Sequence, residues 1–446
     1  MKIPMAALFP GQGAYFPGAL AEVVRDFADV RVVLERVDGV IQEYEGDPVL
    51  PLLTETEGPS LEDLAEDPGR LSLAIFATSI GLFEFLRTEG IRFDLLIGHS
   101  VGEIAALTAA GSLTVEDATR LLWERDVALR TARPPAGGMV ALATNARRAE
   151  HVRGAVDDAS VVIAAYNAPR QTVLSGADGG LAALERVAEA LGVSSRRLAA
   201  PYPYHNAVLG GASRRFGEAL ADVKTHVPAC RVHSPILGRE VVDEADAREV
   251  LARHLIWPVR FLRAVRDVHA GGMDAFVECG ARGALTGLAE QSLPADVRTV
   301  APLARRVGPE DIRAAFDSWT NGAAPKRPIA EPSTERPPQQ EPRQEPREEP
   351  QGEARPEADA PAPPADDDLL AELQKLYAEV VGYPPEVFTE DAQLEAELGI
   401  DSLRQTRLLT KVAEKYDVPG PDSGGRLSDY PTLRHIAEAV REARAQ

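Results

Sequence analysis

Ser100 stands in Gly98-His99-Ser100-Val101-Gly102, at the end of the apolar run FDLLIG and at the head of VGEIAALTAAG. A strand, a tight turn and a helix are therefore expected around it. Glycines two positions before and two after allow a turn sharp enough to push a hydroxyl out of the backbone, and a helix N-terminus favours negative charge developing beside it. This is the setting of an activated serine nucleophile; the ordinary alternative is a turn serine between glycines. Such a nucleophile needs a base. Of the eight histidines, His205 lies in the aromatic, proline-rich segment PYPYHNAVL, whereas His151, His226 and His269 lie in polar or helical surroundings. His99 adjoins the serine, but neighbouring side chains in such a turn point apart. Spacing alone leaves His205 open between a general base and a loop histidine satisfied by its surroundings.

The elements that must hold these residues alternate along the first 305 residues. Apolar strand-like runs are separated by amphipathic stretches, the pattern of a parallel α/β sheet. In LSLAIFATSIGLFEFLRTEG, Leu73, Phe76, Ala77, Ile80, Phe83 and Leu86 recur at helical spacing, just ahead of the strand that leads to Ser100. From about residue 138 to 198 the order is strand, helix, two strands, helix, strand, which predicts a small ferredoxin-like subdomain inserted in the larger sheet.

Residues 321–368 are different in kind. They hold 12 of the 35 prolines, no aromatic residue, and Ile329 as the sole Ile, Leu or Val. Such a stretch cannot bury a core and reads as a linker. In polyproline geometry at ~3.1 Å per residue it could reach beyond about 100 Å. The expected organisation is thus an α/β domain over 1–305, a C-terminal extension and Pro/Glu-rich linker over 306–368, and a small all-α helical bundle over 369–446. The bundle is read from LLAELQKLYAEVVG, LEAELGIDSLRQTRLLTKVAEKYDV and TLRHIAEAVREARA.

Charge and cysteine content exclude several classes. The formal net charge is −21, and no zone is basic: Lys plus Arg against Asp plus Glu number 33 and 43 before residue 321, 6 and 12 in the linker, and 9 and 14 in the tail. A nucleic-acid grip and docking on an anionic membrane are not expected. Cys230 and Cys279 form no Cys-x-x-Cys pair, so neither a disulfide framework nor a metal site is expected, and a reducing cytoplasm fits. MKIPMAALFPGQG is too short and too broken by proline for a signal peptide, and no apolar run of about 18 residues suggests a membrane helix.

Six segments in register resemble the malonyl-CoA:acyl-carrier-protein acyltransferases of bacterial fatty-acid and polyketide synthesis: FPGQGAYFPG, GHSVGEIAAL, SLTVEDATRLLWERDVAL, YNAPRQTVLSG, YPYHNAVL and FVECGARGALTGL. The resemblance covers about residues 1–305. It implies a hydrolase-like α/β core and a Ser-His dyad, with Ser100 acylated and His205 as its base. It further implies an oxyanion hole from the backbone N–H groups of Gln12 and Val101, and Arg125 as the holder of the free carboxylate of a dicarboxylic acyl group. The backbone carbonyl of Arg260 matches the position that orients the histidine, and Asn167 falls at a strand end beside the pocket.

The chain departs from the family at several points. Ser72-Leu73 replaces a Gln-Pro pair, and Glu278-Cys279-Gly280-Ala281 replaces Glu-x-Gly-Pro. Ahead of the histidine it reads Tyr202-Pro203-Tyr204-His205, neither the His-Ala-Phe-His common in malonyl-selective enzymes nor the Tyr-Ala-Ser-His of methylmalonyl-selective ones. A ring at Tyr204 would crowd an α-methyl branch, which favours malonyl. One methyl is worth only about 1–3 kcal/mol of discrimination.

LEAELGIDSLRQTRLL resembles the acyl carrier protein signature, and with it Ser402 is implied as the attachment point of a covalent 4'-phosphopantetheine arm. Together the two serine motifs lead to an expectation: malonyl-CoA acylates Ser100, and the acyl group passes to the chain's own carrier, or to other carriers. A separate ketosynthase and a phosphopantetheinyl transferase would be partners, in polyketide-type biosynthesis. The alternatives are a hydrolase that edits acyl carriers, a transferase for methylmalonyl or a larger acyl unit, and a non-catalytic docking protein.

Overall fold

The computed structural model describes residues 3–320, 366–381 and 432–445, together with residues 390, 394, 408, 409, 411, 412, 415 and 416. The chain divides into two compact units near residue 331. In chain order the strands of the first unit are β1 (Met5–Phe9), β2 (Leu95–Gly98), β3 (Gly137–Leu142), β4 (Val162–Ala168), β5 (Gln171–Ala177), β6 (Ser195–Arg197), β7 (Arg231–Ser234), β8 (Arg239–Val241), β9 (Ala275–Glu278) and β10 (Arg298–Val300).

Six of them form one sheet in the order β10-β9-β1-β2-β7-β8. All neighbours are parallel except β7 and β8. β1 sits centrally with Ala6, Ala7, Leu8 and Phe9 fully buried, as a parallel strand covered on both faces requires. Registers Phe9↔Gly98 and Leu8↔Glu278 bring the carboxyl ends of β1, β2 and β9 together. That is where loops carry chemistry in an open α/β sheet.

The second sheet has the order β4-β5-β3-β6, all antiparallel. With helices Ala146–Val156 and Asp178–Ala190 on it, this is the ferredoxin-like insertion, running from Gly137 to Arg197. It has its own small core, including Val140, Leu142, Leu174, Leu181 and Leu184.

The helix ahead of β2 is longer than its sequence periodicity suggested. It starts at Pro68, a residue suited to the first helical turn, after Asp67, whose side chain accepts from Arg70 N at 3.1 Å. By length and composition this helix, Pro68–Thr88, would suffice to cross a membrane, contrary to the expectation that no run would. In the fold 83% of its apolar window is buried, so it is a core helix.

The first unit also runs beyond residue 305. Helix Pro309–Thr320 returns to the body, placing Ile312 and Phe316 in the core and pairing Arg313 with Glu89. In the second unit, helices Asp366–Val381 and Leu433–Ala445 share a core of Leu369, Leu373, Tyr377, Leu408, Val412, Ile436 and Val440. Tyr416 donates from its hydroxyl to Glu372 there at 2.8 Å.

Candidate active site

The turn after β2 is built as its glycines require. A Cβ on Gly102 would stand 1.9 Å from the carbonyl oxygen of Phe9, so no side chain fits where helix Gly102–Ala109 starts against β1. Ser100, between strand and helix, is held at φ +55°. Left-handed backbone on a non-glycine residue costs on the order of 1–3 kcal/mol and persists only where the surroundings enforce it. His205 is held at φ +59°.

These two strained residues meet. Ser100 Oγ lies 2.8 Å from His205 Nε2, and His205 Nδ1 lies 2.8 Å from the carbonyl oxygen of Trp257. A carbonyl can only accept, so Nδ1 carries the proton and Nε2 is left free to take one from the serine. Burial, with the fields of His99 and Arg125, lowers His205 to about 3 even though the Trp257 carbonyl favours its charged form. The ring is therefore a neutral acceptor through the physiological range.

The orienting carbonyl is that of Trp257 and not the Arg260 carbonyl expected from the family pattern. The Arg260 carbonyl accepts from Ala264 N at 3.0 Å in the first turn of helix Phe261–Ala270. Its guanidinium instead donates to Ile236 O at 3.1 Å.

Arg125 is on helix Val115–Ala132 and is 2% exposed. Among the described residues it pairs with no carboxylate and its Nε has no hydrogen-bond partner. Neighbouring Asp126 is taken by Arg130 at 2.8 Å. A buried cation without a counter-ion is costly, so Arg125 is not a solvated helix arginine. Its guanidinium carbon lies 4.8 Å from the centre of the buried Tyr204 ring. Gln12 Nε2 donates to the Tyr204 hydroxyl at 3.3 Å. Tyr202 packs edge-on against Tyr204, 5.9 Å between ring centres.

The Gln12 loop passes directly by Ser100. A Cβ on Gly11 would come within 3.2 Å of Ser100 Cβ, and the backbone N–H groups of Gln12 and Val101 donate to no group among the described residues. Asn167, expected at the pocket, uses its Oδ1 on His99 Nε2 at 2.8 Å and its Nδ2 on Gln171 Oε1 at 2.9 Å. It therefore pins His99, the residue before Ser100. Ser402 lies outside the described residues.

Two supports carried no signal in composition or spacing. One is the Trp257 carbonyl, which any residue could have supplied. The other is Glu103, one position into the helix after Gly102. This buried carboxyl accepts from Ser234 Oγ at 2.5 Å and from Ile236 N at 2.8 Å, and burial raises it to about 8. It thereby fastens the helix that follows Ser100 to the turn that receives Arg260.

Comparison with known proteins bears on the family and the fold. Residues 7–318 match the family described as acyl transferase domain, and residues 371–440 that described as phosphopantetheine attachment site. The spectinabilin polyketide synthase system protein NorB of Streptomyces orinoci is 33% identical over 312 residues, 69% of this chain and 14% of that protein. Mycoketide-CoA synthase of Mycobacterium tuberculosis is 31% identical over 303 residues, 68% of this chain and 7% of its own length. The chain thus spans a small fraction of these relatives. Among solved structures, the acyltransferase domain from the second module of the salinomycin polyketide synthase superposes with TM-score 0.64 at 25% identity, covering 73% of this chain and 75% of that one. The malonyl-CoA:acyl carrier protein transacylase of Xanthomonas oryzae pv. oryzae gives 0.65 at 26%, covering 72% and 99%. The chain belongs to the acyl transferase domain family and joins that enzyme to a phosphopantetheine attachment domain in one polypeptide.

Proposed function

We propose that this acyltransferase moves a malonyl group from malonyl-CoA, through an ester on Ser100, to the carrier at its own C-terminal end. Ser100 Oγ attacks the thioester carbonyl while its proton passes to His205 Nε2. The N–H groups of Gln12 and Val101 receive the negative charge on the carbonyl oxygen. His205 then returns the proton to the departing CoA thiolate, leaving malonyl-Ser100. A phosphopantetheine arm on Ser402 supplies the acceptor thiol. Asp401-Ser402 offers a hydroxyl for it, and the small helical core of the second unit fits a carrier. His205 takes the thiol's proton, Ser100 is regenerated with it, and the cycle closes. The linker between the units raises the effective concentration of acceptor near donor. A separate ketosynthase would use the loaded carrier and a phosphopantetheinyl transferase would install the arm.

The observation that carries this reading is Arg125, a buried guanidinium beside the dyad with no carboxylate to pair with among the described residues. A malonyl group brings that carboxylate; acetyl and other monocarboxylic groups do not, which sets the reading apart from a hydrolase clearing such groups. Arg125→Ala is expected to lower acylation of Ser100 by malonyl-CoA by about 30- to 1000-fold, the cost of losing a buried charge pair, and to leave acetyl-CoA acylation unchanged or faster. Equal losses for both would remove the support.

A further inference from the structure

His254 follows helix Glu244–Arg253 and is 1% exposed, yet both of its ring nitrogens are buried without a hydrogen-bond partner among the described residues. Buried polar side chains are ordinarily paired, so a histidine with neither nitrogen engaged calls for a reason. Its position supplies one. The ring centre lies 6.3 Å from that of His205, edge-on at 74°, and the carbonyl of the next residue, Leu255, accepts the His205 backbone N–H at 2.8 Å. Burial and the fields of Arg125 and His205 hold the ring neutral. A neutral imidazole keeps one N–H to donate in either tautomer.

A relay of protons to His205 is not available to it. Both His205 nitrogens are engaged, by Ser100 Oγ and by the Trp257 carbonyl. The Tyr204 hydroxyl is engaged by Gln12. Among the described residues, two buried donors next to the dyad remain unbonded, Arg125 Nε and a His254 ring nitrogen. A carboxylate has about four acceptor positions, more than one guanidinium fills.

We infer that His254 is a second holder of the acyl group's free carboxylate, donating a ring N–H to it beside Arg125. The inference rests on the dicarboxylic reading above. It makes His254 a specificity-determining residue: an acetyl group offers no acceptor at that place, so the contact favours malonyl without helping attack on the thioester carbonyl.

The test measures single-turnover acylation of Ser100 by malonyl-CoA and by acetyl-CoA, read by intact mass, in the parent chain, His254→Phe and His254→Asn. Phenylalanine keeps the ring volume and removes the donor; asparagine keeps a donor. His254→Phe is expected to slow malonyl acylation by about 10- to 100-fold, the effect of one hydrogen bond to a charged group, with acetyl acylation within about 3-fold of the parent. His254→Asn is expected to recover most of the malonyl rate. Should His254→Phe not fold, His254→Leu takes its place in the same comparison. Equal slowing of both acyl groups, or no slowing in a parent that prefers malonyl, overturns the role of His254 alone. A parent that does not prefer malonyl over acetyl overturns the dicarboxylic reading and this inference with it.

Discussion

The guanidinium carbon of Arg125 lies 4.8 Å from the centre of the Tyr204 ring, whose hydroxyl at the far end accepts from Gln12 Nε2 at 3.3 Å. A single ring thus connects the helix that carries Arg125 to the loop beside Ser100. Tyr204→Phe keeps the ring and the cation–π contact and loses one long hydrogen bond, so malonyl acylation is expected to fall less than about 10-fold. Tyr204→Ser removes the bulk of the ring, and if that ring sets acyl size the ratio of kcat/KM for methylmalonyl-CoA over malonyl-CoA is expected to rise about 10-fold or more. An unchanged ratio in Tyr204→Ser would mean that the ring does not set acyl size.

His205 is already neutral well below pH 6, because burial lowers it to about 3. A histidine must be unprotonated to accept the serine proton, so rate is lost only as pH falls through its pKa in the folded enzyme. Acylation kcat/KM is expected to stay level from pH 7 down to about 5, where a free histidine of pKa about 6.5 would have lost most of its activity. Rapid-quench rates over that range decide between the two.

Glu103 makes a pH-dependent contribution to stability. Its carboxyl is raised to about 8 in the folded chain against about 4.3 unfolded, so the folded state holds a proton that the unfolded state releases. Its contribution is full below about pH 4 and is lost as pH rises through about 8, by on the order of a few kcal/mol. Glu103→Gln, uncharged throughout, is expected to flatten that part of the pH dependence of urea unfolding. Trp123, Trp257 and Trp319 all lie in the first unit, so tryptophan fluorescence reports its unfolding alone. Parallel pH curves for parent and variant would contradict the assignment.

A chain ending at Arg305 would leave the places of Ile312 and Phe316 uncovered. At about 1.5–3 kcal/mol for each buried side chain, it is expected to be at least about 3 kcal/mol less stable than one ending at Thr320, and to melt several degrees lower. Equal melting temperatures would return the boundary to residue 305.

How far the sequence foretold this depended on what kind of group was involved. The turn at Ser100 was legible because glycine is the sole residue that fits against Phe9, so the constraint leaves its mark in the letters. His205 was not separable from a loop histidine by spacing, since its meeting with Ser100 is made by elements about a hundred residues apart. The ferredoxin-like insertion was legible from the order of its elements. The Arg260 expectation failed because a backbone carbonyl has no side-chain signature, and a shift of three residues along WPVRF is invisible until the chain is folded. The helix over 309–320 was passed over because its neighbour is the proline-rich stretch, although Ile312 and Phe316 lie four apart on one face.

The most direct measurement is the intact mass of the chain, pantetheinylated on its carrier, after mixing with malonyl-, methylmalonyl- and acetyl-CoA in competition, followed by fragment mapping. The expected result is a malonyl adduct on the peptide containing Ser402, moving to the peptide containing Ser100 in Ser402→Ala and absent in Ser100→Ala. Malonyl that stays on Ser100 in the pantetheinylated parent, or an adduct dominated by acetyl, would contradict self-loading in the first case and the role of Arg125 in the second.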